Sequence, residues 1–140
     1  MKLTTKGRYA VMAMADLATN ESLKPVSLNE ISVRQNISLS YLEQLFLKLK
    51  KNHLVKSVRG PYGGYTLSRK AKDIKLSSII SAVNEEVKTL NCKKDSKKGC
   101  DGRSVKCITH YLWDDLEKHI NGFFENKNLN DLVSKQENTL

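Results

Sequence analysis

All three cysteines of this 140-residue chain lie in one short stretch, and a histidine follows the last of them. Cys92, Cys100, Cys107 and His110 form the pattern C-x7-C-x6-C-x2-H. Three thiols and an imidazole are the donor set of a four-ligand site for a soft metal. Three cysteines cannot all pair off within one chain. The residues among them, Lys93, Lys94, Asp95, Ser96, Lys97, Lys98, Gly99, Asp101, Gly102 and Arg103, give an ordinary buried thiol no apolar surface to pack against. A bound metal centre is the better reading than three unrelated thiols.

The spacing bears on which metal. Structural zinc usually takes its ligands from tight C-x2-4-C knuckles, and here the one close pair is Cys107 with His110. Wider intervals suit a [2Fe-2S] cluster, which spreads four ligands over two irons and accepts histidine in place of cysteine. With two ferric irons, two sulfides, three thiolates and a neutral imidazole, the oxidised site carries a formal charge of about −1. The cations Lys93, Lys94, Lys97, Lys98, Arg103 and Lys106 offset the thiolates and favour their ionised form. Zinc remains the alternative metal.

The rest of the chain must position this loop and supply its purpose. Residues 1–75 hold fourteen Lys and Arg against five Asp and Glu, whereas residues 76–140 hold ten against ten. All of the net charge of +9 therefore sits in the first half, the footprint of a polyanion-binding module. The chain opens Met1-Lys2-Leu3-Thr4 with no apolar leader, and no run is long enough to span a membrane. A cytoplasmic protein with reduced thiols is the expectation. No nucleophile, base and orienter set, no phosphate loop and no pair of acids in a plausible cleft is present, so an enzyme is not expected.

From Thr4 to Thr19 the apolar residues Ala10, Val11, Met14, Leu17 and Ala18 recur at helical spacing, with Lys6 and Arg8 in the first turn as candidate phosphate contacts. Ser27-Leu28-Asn29-Glu30 is a capping box that starts a short helix through Gln35. After a turn at Asn36-Ile37, Ser38 or Ser40 caps the next helix, and Ser40-Tyr41-Leu42-Glu43 reads as a second capping box. That helix runs to about Asn52, burying Leu39, Leu42, Phe46 and Leu49 and exposing Ser40, Tyr41, Glu43, Gln44, Lys48 and Lys51. Two capped helices joined by a tight turn, the second polar and basic outside, are a helix-turn-helix with its recognition helix.

Leu54–Val58 and Tyr65–Ser68 alternate as strands about the turn Arg59-Gly60-Pro61-Tyr62-Gly63-Gly64, forming a wing whose Arg59 suits a narrow minor groove. Ser77 or Ser78 opens another helix burying Ile79, Ile80 and Val83. After His110, the residues Ile108, Leu112, Trp113, Leu116, Ile120, Phe123 and Phe124 make one apolar stripe, with Asp114, Asp115, Glu117 and Lys118 on a wet opposite face. So apolar a helix beside a small domain is expected to pack against a second copy of itself. Leu129–Val133 reads as a short turn. His53 and His119 are lone histidines of no assigned role. The fold class is mainly α with a small β-hairpin wing. The domains are a winged helix-turn-helix over 1–75, a cluster loop and dimerisation helix over 76–133, and a disordered tail over 134–140.

The opening Lys2–Ala10, the segment Ile37–Phe46, the wing Ser57–Tyr65 and the Cys92/Cys100/Cys107/His110 set together resemble the IscR-type iron–sulfur cluster regulators, a family of winged-helix repressors. The resemblance runs to about Val133. It implies a homodimer, joined through the 108–124 helix, that binds double-stranded promoter DNA and holds one [2Fe-2S] cluster per subunit. It also implies that cluster occupancy selects between promoter classes, with repression of cluster-assembly genes and with the assembly proteins as cluster donors. The implied ligands are Cys92, Cys100, Cys107 and His110; the implied DNA contacts are Ser40, Tyr41, Glu43 and Gln44 on the recognition helix and Arg59 on the wing, with Ser38 and Gly60 as further candidates beside the phosphate candidates Lys6, Arg8 and Lys51. The intervals between cysteines are longer here than is usual in that family, and the chain ends sooner. A sister branch that senses nitric oxide takes an acidic residue near the N-terminus as its fourth ligand, whereas Lys6-Gly7-Arg8-Tyr9 holds no acid, which favours the histidine-ligated branch. The other readings are a nitric-oxide- or iron-responsive repressor of the same family, a zinc-stapled DNA-binding protein, and an electron carrier, which would have no need of a basic helix-turn-helix.

Overall fold

Helix α1 (Thr5–Asn20) lies at the centre of the molecule, and the elements that follow gather around it. The computed structural model describes residues 5–21, 24–83 and 108–138. Ala10, Ala13, Met14 and Leu17 are fully buried along α1, as the spacing anticipates, and Asp16 is buried with them.

Helix α2 (Leu28–Gln35) starts at the expected capping box: Ser27 accepts from the Glu30 backbone N–H at 3.2 Å while Glu30 accepts from the Ser27 N–H at 3.1 Å. It ends at Asn36, whose left-handed backbone (φ 54°) suits an asparagine at this position. Helix α3 (Leu39–Lys51) is capped by Ser38, whose hydroxyl accepts from the Tyr41 N–H at 3.4 Å. Ser40 therefore sits inside the first turn, and its hydroxyl bonds to that of Ser38 at 3.0 Å. No capping box forms between Ser40 and Glu43. Leu42, Leu45, Phe46 and Leu49 enter the core, but Leu39, the first helical residue, projects past its edge and is 39% exposed. The helix closes with His53 in the left-handed region (φ 62°), where the Leu54 N–H reaches Leu49 and the His53 N–H reaches Lys50.

Strands β1 (Val55–Val58) and β2 (Gly64–Leu67) pair antiparallel, Val55 opposite Leu67 and Val58 opposite Gly64. Val26, just before α2, adds a bridge to Tyr65, so the wing is tied to the helix-turn-helix by backbone bonds of 3.0 and 2.7 Å. A single 3-10 turn (Ala71–Asp73) leads to α4 (Leu76–Ala82), which follows Lys75 without a side-chain cap rather than opening at Ser77 or Ser78. Ile79, Ile80 and Val83 are buried as expected. Helix α5 (His110–Glu125) packs against α4, and α6 (Leu129–Asn138) against α1.

The C-terminal segment differs most from the sequence expectation. Residues 129–138 form one helix, in place of a short turn at Leu129–Val133 followed by a disordered tail over 134–140. Asn128 and Asp131 cap it reciprocally, each side chain accepting from the other's backbone N–H at 3.0 and 2.9 Å. Leu129 is fully buried, and the residues preceding α4 and α6 bridge through Leu76–Lys127 and Leu129–Ile74 backbone bonds of 2.9 Å. One core includes Ala10, Met14 and Leu17 together with Ile74, Ile79, Val83 and Leu129, so it runs across residue 75 without a break.

Asp16 locks α1 to α2. Its carboxylate accepts from Arg34 Nη2 at 2.8 Å and Nε at 3.0 Å, and from Gln35 Nε2 at 2.9 Å. Burial acts to raise its pKa, but the hydrogen bonds from Arg34 and Gln35 and the Arg34 charge outweigh that and hold the carboxyl below its ordinary value. The unfolded chain takes up this proton first. The stabilisation is thus complete above the ordinary carboxylate range and is lost as the pH falls through the folded value. Asp16→Ala should cost about 2 kcal/mol, because it removes the charge-assisted hydrogen bonds from Arg34 and Gln35 while the exposed Arg34 turns to water, as measured by denaturant unfolding at neutral pH. The gap between variant and wild type should close in acid.

Candidate nucleic-acid interface and metal-ligand loop

The exposed surface of α3 carries most of the residues expected to contact DNA. Ser38, Ser40, Glu43, Gln44 and Lys51 are all exposed. Tyr41 is half-buried and its ring meets Tyr9 of α1 edge-on, centroids 5.9 Å apart. That contact places the start of α1, where Lys6 and Arg8 are exposed, beside the start of the recognition helix. A phenol expected to read DNA is in this way also a packing residue that fixes α3 against α1.

Arg59 and Gly60 are exposed on the turn between β1 and β2. The wing is held in place from three sides. Besides the Val26 bridge, Lys50 Nζ of α3 donates to Ser57 Oγ of β1 at 2.8 Å, and Glu21 at the end of α1 accepts from the Leu67 N–H at 2.6 Å. Recognition helix and wing therefore form one surface with a fixed spacing. Lys50 was not among the expected functional residues. Its position next to Lys51 was the available signal, but only the fold shows that it turns to the wing.

Leu47 was also missed. It is 66% exposed and lies at helical spacing from Glu43, Gln44 and Lys51, on the outer row of α3. An apolar side chain on such a row can meet a thymine methyl group in the major groove. The row of Ser40, Glu43, Gln44 and Leu47 thus combines donors, an acceptor and an apolar contact, groups that can meet base edges.

Of the four candidate metal ligands, only His110 is among the described residues. Cys92, Cys100 and Cys107 lie outside the described residues, and among the described residues no group of three or more His, Cys, Asp or Glu is placed to hold a metal ion. His110 is the first residue of α5, half-buried, with Tyr111 edge-on at 5.5 Å. Thr109 before it accepts from Trp113 Nε1 at 3.0 Å. Three soft thiols and an imidazole fit a [2Fe-2S] cluster by donor type, and the imidazole stands on a helix terminus rather than in a loose chain.

Helix α5 departs from the sequence expectation on its polar face. Ile108, Tyr111, Leu112, Trp113, Leu116 and Phe123 are exposed, Ile108 completely, while Glu117 is buried at 6% exposure. Glu117, expected on a wet face with Asp114, Asp115 and Lys118, instead faces the domain. Phe124, partly buried, packs against the core, Ile120 is half-buried, and the other members of the apolar stripe are exposed.

A helix-turn-helix with a polar and basic recognition helix, braced to a basic wing, defines a winged-helix DNA-binding protein. The chain belongs to the Rrf2 family: the family model described as "Iron-dependent Transcriptional regulator" matches residues 3–135. It is 54% identical over 137 residues to the HTH-type transcriptional regulator IscR of Klebsiella pneumoniae (strain 342), covering 98% of this chain and 82% of that protein. It is equally similar to IscR of Escherichia coli (strain K12 / DH10B), covering 83% of it. Among solved structures, T. potens IscR superposes with a TM-score of 0.79 at 37% identity, covering 99% of this chain and 90% of that one. CymR of B. subtilis, the global cysteine regulator, gives 0.80 at 31% identity, covering 96% and 98%. The chain is therefore an IscR-type transcriptional regulator and not an enzyme. No helix among the described residues is long and apolar enough to cross a membrane.

The arrangement separates contacts that position from contacts that read. Replacing Lys6, Arg8 or Lys51 with alanine is expected to weaken binding to all sequences alike and to lower the salt slope by about one for each lost phosphate contact. Arg59→Ala should instead lose most on sites with a narrow A·T-rich minor groove. Equal losses on A·T-rich and G·C-rich flanks would remove Arg59 as a groove reader; titrations at several salt concentrations decide it.

Proposed function

We propose that this protein is an iron–sulfur cluster-sensing repressor that acts as a homodimer on promoter DNA, with cluster-assembly genes among its targets. Cys92, Cys100, Cys107 and His110 hold a [2Fe-2S] cluster delivered by the assembly proteins, and its occupancy changes which promoters are bound. The observation that carries the reading is the joint placement of His110 and the exposed apolar stripe on α5. One helix would then serve both as a ligand platform and as the contact with a second copy of the chain. The stripe is the kind of exposed apolar face that a monomer rarely keeps. Helix α5 rests on α4, and the end of α4 meets the end of the recognition helix, where Asn52 Nδ2 donates to the Ala82 carbonyl at 3.4 Å. On this reading, α5 and α4 are the elements through which occupancy at His110 reaches α3.

The cluster, when bound, supplies a charge and a crosslink between the loop and α5 rather than a reaction. The chain's own residues do the rest. The loop cations balance the thiolates, and α3 and the wing carry the DNA contacts. Purification without air tests the reading. A red-brown protein with equal iron and inorganic sulfide, dimeric in solution and binding promoter duplexes, is expected. A colourless protein with stoichiometric zinc would leave the DNA-binding assignment standing and replace the sensor by a zinc staple.

A further inference from the structure

The wing ends in an aromatic side chain for which the contacts above give no role. Tyr62 is 83% exposed. It occupies the third position of the turn Gly60-Pro61-Tyr62-Gly63, closed by a 2.9 Å bond from the Gly63 N–H to the Gly60 carbonyl. The turn is built to hold one shape. Gly60 has φ 122°, a region that other residues rarely enter, and Pro61 fixes its own φ. A Cβ on Gly63 would lie 2.2 Å from the Val58 carbonyl oxygen, so the backbone folds back on itself there and leaves no room to relax. A large amphipathic ring is thereby carried at the far end of a braced hairpin, three residues beyond the exposed Arg59. Nothing in the monomer's core uses it.

We propose that Tyr62 is a further DNA-positioning residue: its phenolic hydroxyl donates to a backbone phosphate in the flank beneath the wing, and its ring lies against the adjoining sugar. The occupant is set by the surroundings. Lys56 and Arg59 of the same hairpin are exposed cations, and Lys50 ties the hairpin to the recognition helix, so the tip advances toward whatever α3 binds. Tyrosine is a regular donor to phosphate oxygens, and its flat body covers sugar at small entropic cost. Because it is neutral, it releases no counterion, which distinguishes it from every lysine and arginine on this face.

The proposal rests on the DNA-binding reading, and the experiment separates the two. The probe is a labelled duplex enriched by the wild-type protein from a random pool, with flanks long enough to pass beneath the wing. Tyr62→Phe should weaken binding about three- to tenfold, the range of one net hydrogen bond, with the salt slope unchanged. Tyr62→Ala should weaken it further, again with no change of slope, whereas Lys51→Ala should lower the slope by about one. On a duplex cut back so that no flank lies under the wing, both Tyr62 variants should match the wild type. The proposal is overturned if the Tyr62 variants bind the full duplex as tightly as the wild type while Arg59→Ala is weakened; the DNA-binding reading then survives. It is also overturned if their deficit persists on the shortened duplex, which would place the effect in the fold. Failure of the wild type to enrich any duplex would overturn the DNA-binding reading, and this proposal with it.

Discussion

Alanine at any one of Cys92, Cys100 or Cys107 is expected to abolish cluster retention, whereas His110→Ala should only weaken it. Losing a thiolate leaves an iron with an open position and removes one of the three negative charges that hold the ferric pair, so the remnant exchanges with solvent. Losing the imidazole removes a neutral ligand whose place water can take. His110 also begins α5, so the variant keeps its three thiolates but loses the tie between loop and helix. The measurement is iron and sulfide content after anaerobic purification, followed over hours of exposure to a chelator. If Cys100→Ala kept a full complement of both, Cys100 would not be a ligand. Should all three cysteine variants do so, the cluster would lie elsewhere.

The second large effect is expected at Glu43, and it depends on the first. A carboxylate on the outer row of a recognition helix repels phosphates and accepts only from a donor such as cytosine N4, so it penalises most sequences and permits a few. The sequence leaves open that Glu43 merely completes a capping box with Ser40. The structure gives the cap to Ser38, with Tyr41 as its backbone donor, so no capping role competes with base reading at Glu43. If cluster ligation shifts α5, and through α4 the end of α3, the penalty is relieved on one promoter class only. The Cys92→Ala protein should then bind one class, and adding Glu43→Ala should restore the second by about 1–3 kcal/mol, the worth of one base contact. Titration of both variants against both classes at a single salt concentration decides the point. A double variant as selective as Cys92→Ala alone would move discrimination away from this side chain.

What was legible in the sequence divides along physical lines. Helices α1, α2 and α3 carry apolar residues at helical spacing, and α2 is further announced by its capping box, so local rules and tertiary packing agree there. The wing was equally legible from alternation about a glycine-rich turn. Asp16 was not, because its partners Arg34 and Gln35 lie 18 and 19 residues away, and only the fold turns an acid on an apolar helix into a lock. Helix α6 was missed because three apolar residues, Leu129, Leu132 and Val133, make a weak stripe. Its signal was the Asn128–Asp131 reciprocal cap, an Asn/Asp form of the pattern that had been read correctly at Ser27. For α5 the stripe itself was plain. A helical wheel does not say which neighbour takes which face, and Glu117 is buried while most of the stripe is exposed. Of the candidate site, the exposed polar and basic residues of α3 and the wing were legible one by one. Their bracing by Lys50, Glu21 and Val26 was not.

The unbroken core also bears on how such a regulator can be rebuilt. Ile74, Ile79, Val83 and Leu129 fill the space beside Ala10, Met14 and Leu17. A fragment ending at residue 75 would keep every base-reading side chain and lose the packing beneath the helix that orients them. A chimaera that grafts this reading head onto a foreign sensor therefore has to bring the donor's own α4 and α6 with it. The transferable unit is the whole helical wrap around α1.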